Sequence, residues 1–220
     1  MELKSFRAAP AMLAAACLMA VPGMVKAQNQ STTYIGEAVV ARASVLGLVN
    51  VSIEDTGALP PSGGSRSAEL AHVDIPNLLN VHLLDANTSG ANNQVNSAAS
   101  VADVTLSVAG IYVTASVLTS NATASCQTGT ASASGSSTIA ALTVNGLAVT
   151  VTGQPNQTIP LIVGTLVINE QITSINTSPN LSNADIVVNA LHLNVALVAD
   201  VKISSSHAGM TCAGVTGIIG

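Results

Sequence analysis

The chain has very few charged and aromatic side chains. Charged residues make up 8% of its 220 residues, and it contains two tyrosines, one phenylalanine and no tryptophan. A soluble globular protein usually contains about a quarter charged residues, so this is not the surface of an ordinary solvated enzyme. Carbohydrate sites usually use aromatic rings for stacking, which makes such a site less favoured here. The many Val, Ala, Thr, Ser and Leu residues must share an apolar interior, and this predicts an all-β body.

Positive charge is scarcer still. The chain carries six Lys and Arg residues against eleven Asp and Glu, with a formal net charge of −5. Three of the basic residues, Lys4, Arg7 and Lys26, lie within the first 27 residues. A nucleic-acid-binding domain needs a basic surface that faces the phosphates. The composition therefore predicts that nucleic acid is not a partner.

The sequence also lacks the common catalytic motifs. It contains no Gly-x-Ser-x-Gly nucleophile elbow, Gly-rich phosphate loop or paired-histidine zinc helix. The four histidines are scattered; His192 lies in an alternating segment, where it should face away from the core. His72 and Asp74 would share one face of a strand, as two metal ligands do, but no third ligand is evident. We predict that the protein is not an enzyme and holds no cofactor. A hydrolase would have to gather its site from distant residues such as His72, Asp74, Asp85 and His192.

Residues 1–27 have the pattern of a secretory signal peptide. Two basic residues precede Ala11–Val21, an apolar run too short to span a membrane, and small residues precede the expected cleavage point. The alternative is a lipoprotein modified at Cys17, but the next four residues are apolar where a mature lipoprotein turns polar. We expect 28–220 to be one exported domain, secreted, at the cell surface or in the periplasm, with no transmembrane segment after signal cleavage.

Apolar residues recur at every second position in the rest of the chain, which is the period of a half-buried strand. The alternation occurs at Val104/Leu106/Val108, Leu142/Val144, Val149/Val151, Leu166/Ile168, Leu191/Leu193/Val195 and Val201/Ile203. Turn residues separate these runs at irregular intervals, whereas a solenoid would show one fixed period. The sequence predicts a single-domain antiparallel β-sandwich, with a β-solenoid as the alternative.

Turn residues indicate where some of these strands end. Asn145-Gly146 lies between two alternating runs and predicts a tight hairpin turn. Tyr34–Ile53 predicts one or two strands, with a bulge or bend at Gly47.

Three further segments do not predict a continuous central strand. Leu59–Ser67 is rich in Pro and Gly and predicts a loop. Ala68–Leu84 is ambiguous, since Pro76 prevents one continuous central strand. The Ser-, Ala- and Gly-rich segment Thr128–Thr138 predicts an ordered but loosely packed connection. A disordered linker and a flat strand beside a close neighbour are the alternatives for this segment.

Cys126 and Cys212 are the two cysteines that remain after signal cleavage. An even pair in an exported chain is most simply a disulfide. It would close a loop of 86 residues, which in the chain-entropy model contributes roughly 4 kcal/mol. Free thiols and a metal site are the alternatives. Val113–Cys126 and Ala199–Cys212 each run from an apolar strand through Ser and Thr to the cysteine, which suggests a duplicated strand pair whose ends lie side by side.

One short pattern is like the start of a calcium-binding loop. Asp85, Asn87 and Ser89 place oxygen-bearing side chains at alternate positions before a glycine, and a hard cation needs several such oxygens. The position where such a loop needs a bidentate Glu is occupied by the neutral Asn96. An ordinary Asp/Asn/Ser/Gly turn is therefore the main interpretation, and calcium the alternative.

A series of short motifs in a fixed order runs from Ala122 to Cys212: Ala122–Cys126, Gly135–Ile139, Leu142–Gly146, Pro155–Thr158, Gly164–Gln171, Val188–Leu193, Ala199–Val201 and Ser206–Cys212. In these segments the chain resembles the bacterial choice-of-anchor P family, from about Ile35 to Cys212. The resemblance implies an exported β-rich domain attached to the cell surface, with Cys126 and Cys212 as the family's cysteine pair and no catalytic residue. The eight residues after Cys212 contain no sorting motif, so release or non-covalent retention is expected.

These patterns together predict an extracellular or cell-surface structural or adhesive β-domain without catalytic activity. Its expected partners are cell-surface or matrix components, or further copies of the same chain. The low-charge segments Leu142–Thr152 and Ile186–Val195 are the predicted sites of edge pairing between copies. A binding module for carbohydrate or another small ligand is the alternative, and a hydrolase is the third hypothesis.

Overall fold

The computed structural model describes residues 32–46, 49–178 and 181–213, whose regular structure is all β-strand. The predicted signal peptide, the alternative lipidation site Cys17 and the predicted bend at Gly47 lie outside the described residues. No helix in the described part of the chain is long and apolar enough to span a membrane. Thirteen strands follow one another: β1 (Thr33–Val45), β2 (Val49–Asp55), β3 (Gly64–Ile75), β4 (Leu79–Ala91), β5 (Gln94–Val108), β6 (Ile111–Gln127), β7 (Thr130–Ala140), β8 (Thr143–Val144), β9 (Leu147–Ala148), β10 (Gln157–Leu161), β11 (Gly164–Ser178), β12 (Leu181–Val195) and β13 (Ala199–Ala213).

The strands form two antiparallel sheets that pack face to face. Sheet A has the order β10-β11-β12-β13-β1-β2. Sheet B has the order β3-β4-β5-β6-β8-β9, and β7 also pairs with β6, along a different part of that strand. Aliphatic side chains from both sheets are fully buried between them, among them Leu106 and Leu118 from sheet B and Leu193 and Ile203 from sheet A. The predicted antiparallel β-sandwich is confirmed.

Inward-facing side chains alternate within each half of a long strand, but the alternation shifts by one residue in the middle. In β5 the odd-numbered residues up to Val101 are buried, whereas beyond it the even-numbered residues from Val104 onward are buried. β12 shifts in the same way between Val188 and Leu191. In neighbouring strands the shift occurs at residues that lie next to one another, so these residues form one row across the sheet. β12 and β13 therefore stay in register on both sides of this row.

Residues with left-handed backbone conformation form this row. The φ angles of Glu54, Asn169 and Ser204 in sheet A are 46°, 51° and 54°, and those of Leu83 and Asp103 in sheet B are 49° and 48°. Asn and Asp adopt this conformation more readily than most residues because their short polar side chains can bond to nearby backbone. The row separates a large apolar core from a smaller one that lies next to the disulfide.

Cys126 at the end of β6 and Cys212 at the end of β13 form a disulfide that joins sheet B to sheet A. Their Cα atoms lie 5.6 Å apart, a usual separation for a disulfide. The side chain of Cys212 is buried and packs with Ala131 of β7 and Ala184 of β12. The predicted cysteine pairing is confirmed, and the two strand ends lie side by side as the similar segments suggested.

The segment after β7 follows the prediction only in part. Asn145-Gly146 forms the predicted hairpin turn, with φ angles of 50° and 79°, but the strands that it joins, β8 and β9, contain two residues each. Val149 and Val151 lie outside any strand and are half-buried against the large core. The strand predicted from their alternation is therefore wrong, because the chain here covers the core with a backbone hydrogen bond from Val149 to Leu142 but without a strand ladder.

Two predicted connections also differ from the structure. The loop predicted for Leu59–Ser67 ends earlier, because β3 begins at Gly64, whereas Pro76 does separate β3 from β4. Thr128–Thr138 is mostly strand β7, not a loosely packed connection. Its small side chains allow β7 to approach β12 closely: a Cβ atom added at Gly135 would overlap the Val188 side chain. The flat-strand alternative is the correct one.

Removal of the disulfide should destabilise the sandwich. We expect the double variant Cys126→Ala/Cys212→Ala to lose roughly 4 kcal/mol of free energy of unfolding, because its unfolded chain regains the entropy of a long loop. Urea denaturation of the oxidised wild type and of the variant measures the difference. Equal denaturation midpoints with equal m-values would contradict a stabilising cross-link.

Candidate functional site

Asp85, Asn87 and Ser89 lie on strand β4 and not in a loop or turn. They occupy alternate positions on one side of the strand, and Asn87 Nδ2 donates to Asp85 Oδ1 over 3.0 Å. β4 pairs with β3 and with β5 along this whole segment, so Asn96 lies opposite Ser89 on the next strand. The predicted turn is wrong, because backbone pairing on both sides keeps the segment extended. The three side chains follow a strand and do not wrap around a cation as in a calcium loop.

The other polar side chains singled out from the sequence lie apart from one another. The His72 ring stacks on His82 of β4 with 4.4 Å between ring centroids. Asp74 lies two positions further along β3. His207 Nε2 lies 2.7 Å from Asp185 Oδ2 in sheet A. Among residues 32–46, 49–178 and 181–213, no group of three or more His, Cys, Asp or Glu side chains is arranged to hold a metal ion.

His192 faces away from the core, as predicted, and is held between two carboxylates on the outer face of sheet A. Its Nδ1 lies 2.9 Å from Glu170 Oε2 and its Nε2 lies 3.0 Å from Asp200 Oδ2. Asn189 donates to Glu170 over 2.6 Å, and Lys202 Nζ lies 3.4 Å from Asp200. Three adjacent strands, β11, β12 and β13, supply these side chains.

This network changes the protonation of its members. The hydrogen bond to Glu170, together with that to Asp200, raises the pKa of His192 above its ordinary 6.5 although burial opposes the shift. The hydrogen bond from His192 lowers the pKa of Glu170. Burial opposes the lowering of the Asp200 pKa, but the hydrogen bond from His192 prevails. Because both ring nitrogens are engaged by carboxylates, the network is better suited to joining strands than to accepting a proton from a substrate.

The two flanks of the sandwich differ in charge. Edge strands β2 and β3 form one flank and carry five charged residues: Glu54, Asp55, Arg66, Glu69 and Asp74. The other flank contains the edge strands β9 and β10, and also β7 and the segment 172–178 of β11, and none of these carries a charged residue. We call the surface formed by β7 and the segment 172–178 the open flank. Charged side chains on an edge strand oppose its pairing with another chain, and the open flank lacks that protection.

Strand β7 presents a backbone edge along the open flank. Among the described strands, β7 pairs only with β6. The Ala131 N–H donates to Ser182 Oγ over 2.9 Å, and the Gly135 C=O accepts from Gln171 Nε2 over 3.1 Å. Both groups therefore point away from β6. The direction of the backbone groups alternates along a strand. The N–H and C=O groups of the other odd-numbered residues of β7, including Ser137, therefore also point away from β6.

Strand β11 extends beyond β7 and leaves part of its core-facing side uncovered. Ile175 and Thr177 are the cross-strand partners of Ala184 and Ser182, so each pair shares one side of sheet A. Ala184 is 1% exposed, whereas Ile175 is 57% exposed. The reason is that sheet B ends at β7 in this half of the molecule. The free edge of β7 and the uncovered face of β11 form a step.

Asn156 bounds this step at one end. Its side-chain oxygen accepts from the Gln171 N–H over 2.8 Å, and its amide donates to the Gln171 C=O over 3.4 Å. The Asn156 side chain thus acts as a short substitute for a paired strand. Beyond this point, from Ile172 onward, the outer edge of β11 has no partner strand among the described residues.

The segments predicted to pair at an edge do not form the open flank. Ile186–Val195 lies in β12, which pairs on both sides with β11 and β13, so this prediction is wrong: the low charge of the segment reflects burial. Leu142–Thr152 does contain edge strand β9, but only over Leu147–Ala148. The signal that marks the open flank is the complete lack of charge in Thr128–Thr138.

The chain matches no family model, no curated protein and no solved structure. The resemblance to the choice-of-anchor P family therefore stays a prediction. The functional interpretation depends on the chain's own geometry.

The His192 network should make stability depend on pH. The folded-state pKa of His192 is raised, so its contribution is complete below 6.5 and is lost as the pH rises through the raised value. The pKa of Glu170 is lowered, so its contribution is complete above 4.5 and is lost on acidification. We expect His192→Gln to cost about 1 kcal/mol of free energy of unfolding near pH 5–6, and less above about pH 8.

Urea denaturation of both proteins at the two pH values measures this difference. His82→Gln is the matched control, since His82 stacks on a ring and has no ion pair in the described structure. A loss for His192→Gln that is the same at both pH values would contradict the network's role.

Proposed function

We propose that this protein is an extracellular structural or adhesive β-domain without catalytic activity, which assembles by adding an extended strand at the open flank. The observation that carries the proposal is the step between β7 and β11. There a backbone edge with no partner strand among the described residues lies beside an apolar side chain, Ile175, that is 57% exposed although it faces the core side of its sheet.

An added strand would complete both features of the step. Its backbone would pair with those outward N–H and C=O groups of β7 that Ser182 and Gln171 do not occupy, such as those of Ser137, and so continue sheet B. Its inward side chains would then cover Ile175 on the floor of the step. Main-chain hydrogen bonds supply affinity in this mode of recognition, and alternate side chains supply specificity. No charge on the open flank opposes such an approach.

The cross-link between the sheets favours a preformed acceptor. Cys212 packs against Ala131 of β7 and Ala184 of β12, so the disulfide holds β7, whose edge forms one side of the step, against sheet A. A rigid acceptor loses little conformational entropy on binding. The disulfide also fits the oxidising environment outside the cytoplasm, in agreement with the predicted signal peptide.

The donor strand is expected to come from a second copy of the chain. The chain has the low charge and high β-branched content that favour pairing between identical segments. The protein would then form oligomers or fibres, as a component of a cell surface or matrix does.

Proline at position 137 tests the proposal. Ser137→Pro removes an N–H that points outward and leaves the pairing of β7 with β6 in place, since prolines are tolerated at such positions of edge strands. Ser137→Ala keeps the N–H and is the matched control. In sedimentation velocity, wild type and Ser137→Ala should associate as concentration rises, whereas the association of Ser137→Pro should be weakened about tenfold or more.

Circular dichroism and the melting temperature establish that the two variants are folded alike. Association of Ser137→Pro as strong as that of Ser137→Ala would show that the β7 edge is not used. A wild type that stays monomeric at high concentration would remove self-assembly altogether.

A further inference from the structure

Six of the hairpin connections between the described strands lie at one end of the sandwich. They join β1 to β2, β3 to β4, β5 to β6, β8 to β9, β10 to β11 and β12 to β13, and none contains a charged residue. The connections at the opposite end consist mostly of Gly, Pro, Asn, Thr and Ser, and the leucine among them, Leu59, is buried. We call the first of these ends the apolar turn end.

Large aliphatic side chains project into solvent from this end. Ile162 is 101% exposed and Leu197 is 92% exposed, while Leu46 and Leu147 are 77% and 74% exposed. A side chain with such values contacts almost nothing else in the described structure. Single exposed aliphatic residues are common on protein surfaces, but a contiguous group of them marks an interaction site.

The exposed tips lie side by side. The Leu46 N–H donates to the Val198 C=O over 2.8 Å, which joins the β1–β2 connection to the β12–β13 turn. Gly164 packs against the backbone of Val195, which brings the β10–β11 turn beside the same β12 end. Leu147, from sheet B, lines one groove with Ile162. Together these tips form one apolar ridge.

Backbone hydrogen bonds hold the ridge in place. Within the β12–β13 turn the Val198 N–H donates to the Val195 C=O over 2.9 Å, and the Asn145 N–H donates to the Tyr112 C=O over 2.7 Å, which ties the β8–β9 turn to β6. Tyr112, one of only two tyrosines in the chain, is 46% exposed at this end. Tyrosine is enriched where an apolar phase meets water, because its ring is apolar and its hydroxyl is polar.

We infer that the apolar turn end inserts into the surface of a neutral lipid bilayer. The tips project singly from separate turns, so a protein partner would need a matching pocket for each, whereas a fluid bilayer adapts to them. The turns themselves carry no charge. Asp200 lines the same groove as Leu46 and Leu197. Its carboxylate is paired with His192 and Lys202, which lowers the cost of bringing ions into the interface. With no Lys or Arg in the turns and a net charge of −5, there is no electrostatic attraction to anionic lipid.

This binding is independent of strand addition. The open flank runs along the strands, whereas the apolar turn end lies at their ends, so a molecule that rests on a bilayer would keep the flank free. The two proposals therefore fail separately: Ser137→Pro tests the flank, and changes at Leu197 and Ile162 test the turn end.

A single introduced tryptophan tests the inference directly, because the chain has none. In the chain without residues 1–27, Leu197→Trp should show a blue-shifted emission with phosphatidylcholine vesicles and quenching by brominated phosphatidylcholine. Leu70→Trp, on edge strand β3, is the matched control and should show neither effect. An emission of Leu197→Trp that vesicles leave unchanged would overturn the inference.

A second variant removes the tips without touching the core. Ile162→Ser/Leu197→Ser should weaken co-sedimentation with the same vesicles by about tenfold or more, whereas Leu83→Ser, which removes a 69% exposed leucine from the face of sheet B, should not. Equal binding of all three proteins would overturn the inference. So would a lipid-free dimer that the double variant converts to monomers, since the turn end would then join two copies.

Discussion

The close approach of β7 to β12 is the constraint on which the surface features of this sandwich depend. It requires glycine at position 135, where a Cβ atom would meet Val188, and alanine at 131 beside the buried Cys212. Because β7 ends sheet B at this point, the next strand of sheet A, β11, has nothing opposite its second half. An exposed Ile175 on the core-facing side is the direct result. The disulfide stabilises the same corner, since it joins the ends of β6 and β13.

The few charges of the chain lie where they leave two surfaces unprotected. Several follow the edge strands β2 and β3, and others, such as Glu170 and Asp200, engage His192 on the outer face of sheet A. The open flank and the six turns of the apolar turn end contain none. These two surfaces differ in chemistry: one offers backbone hydrogen bonds in the direction of a sheet, and the other offers separate aliphatic tips. The flank is therefore suited to an extended strand, and the turn end to a deformable apolar phase.

Local pattern predicted much of the fold. Period-two alternation identified the buried faces of β5, β12 and β13, Asn145-Gly146 identified a hairpin, and an even cysteine count identified the disulfide. The predictions from local pattern were wrong where the same residues are compatible with two different structures. Low charge at Ile186–Val195 reflects a strand buried between two neighbours, although an exposed edge would show the same composition. The Asp85 segment has turn-forming residues, but pairing with β3 and β5 keeps it extended.

The sequence by itself determined the class of the fold, the period of its strands and the pair of cysteines, because each follows from residue types at short spacing. Tertiary structure decided which strands lie at the edges, how far one sheet extends past the other, and that six uncharged turns share one end. It also placed Glu170 and Asp200 on either side of His192. These properties depend on the order of strands in each sheet, and hydrogen bonds between segments distant in the chain set that order.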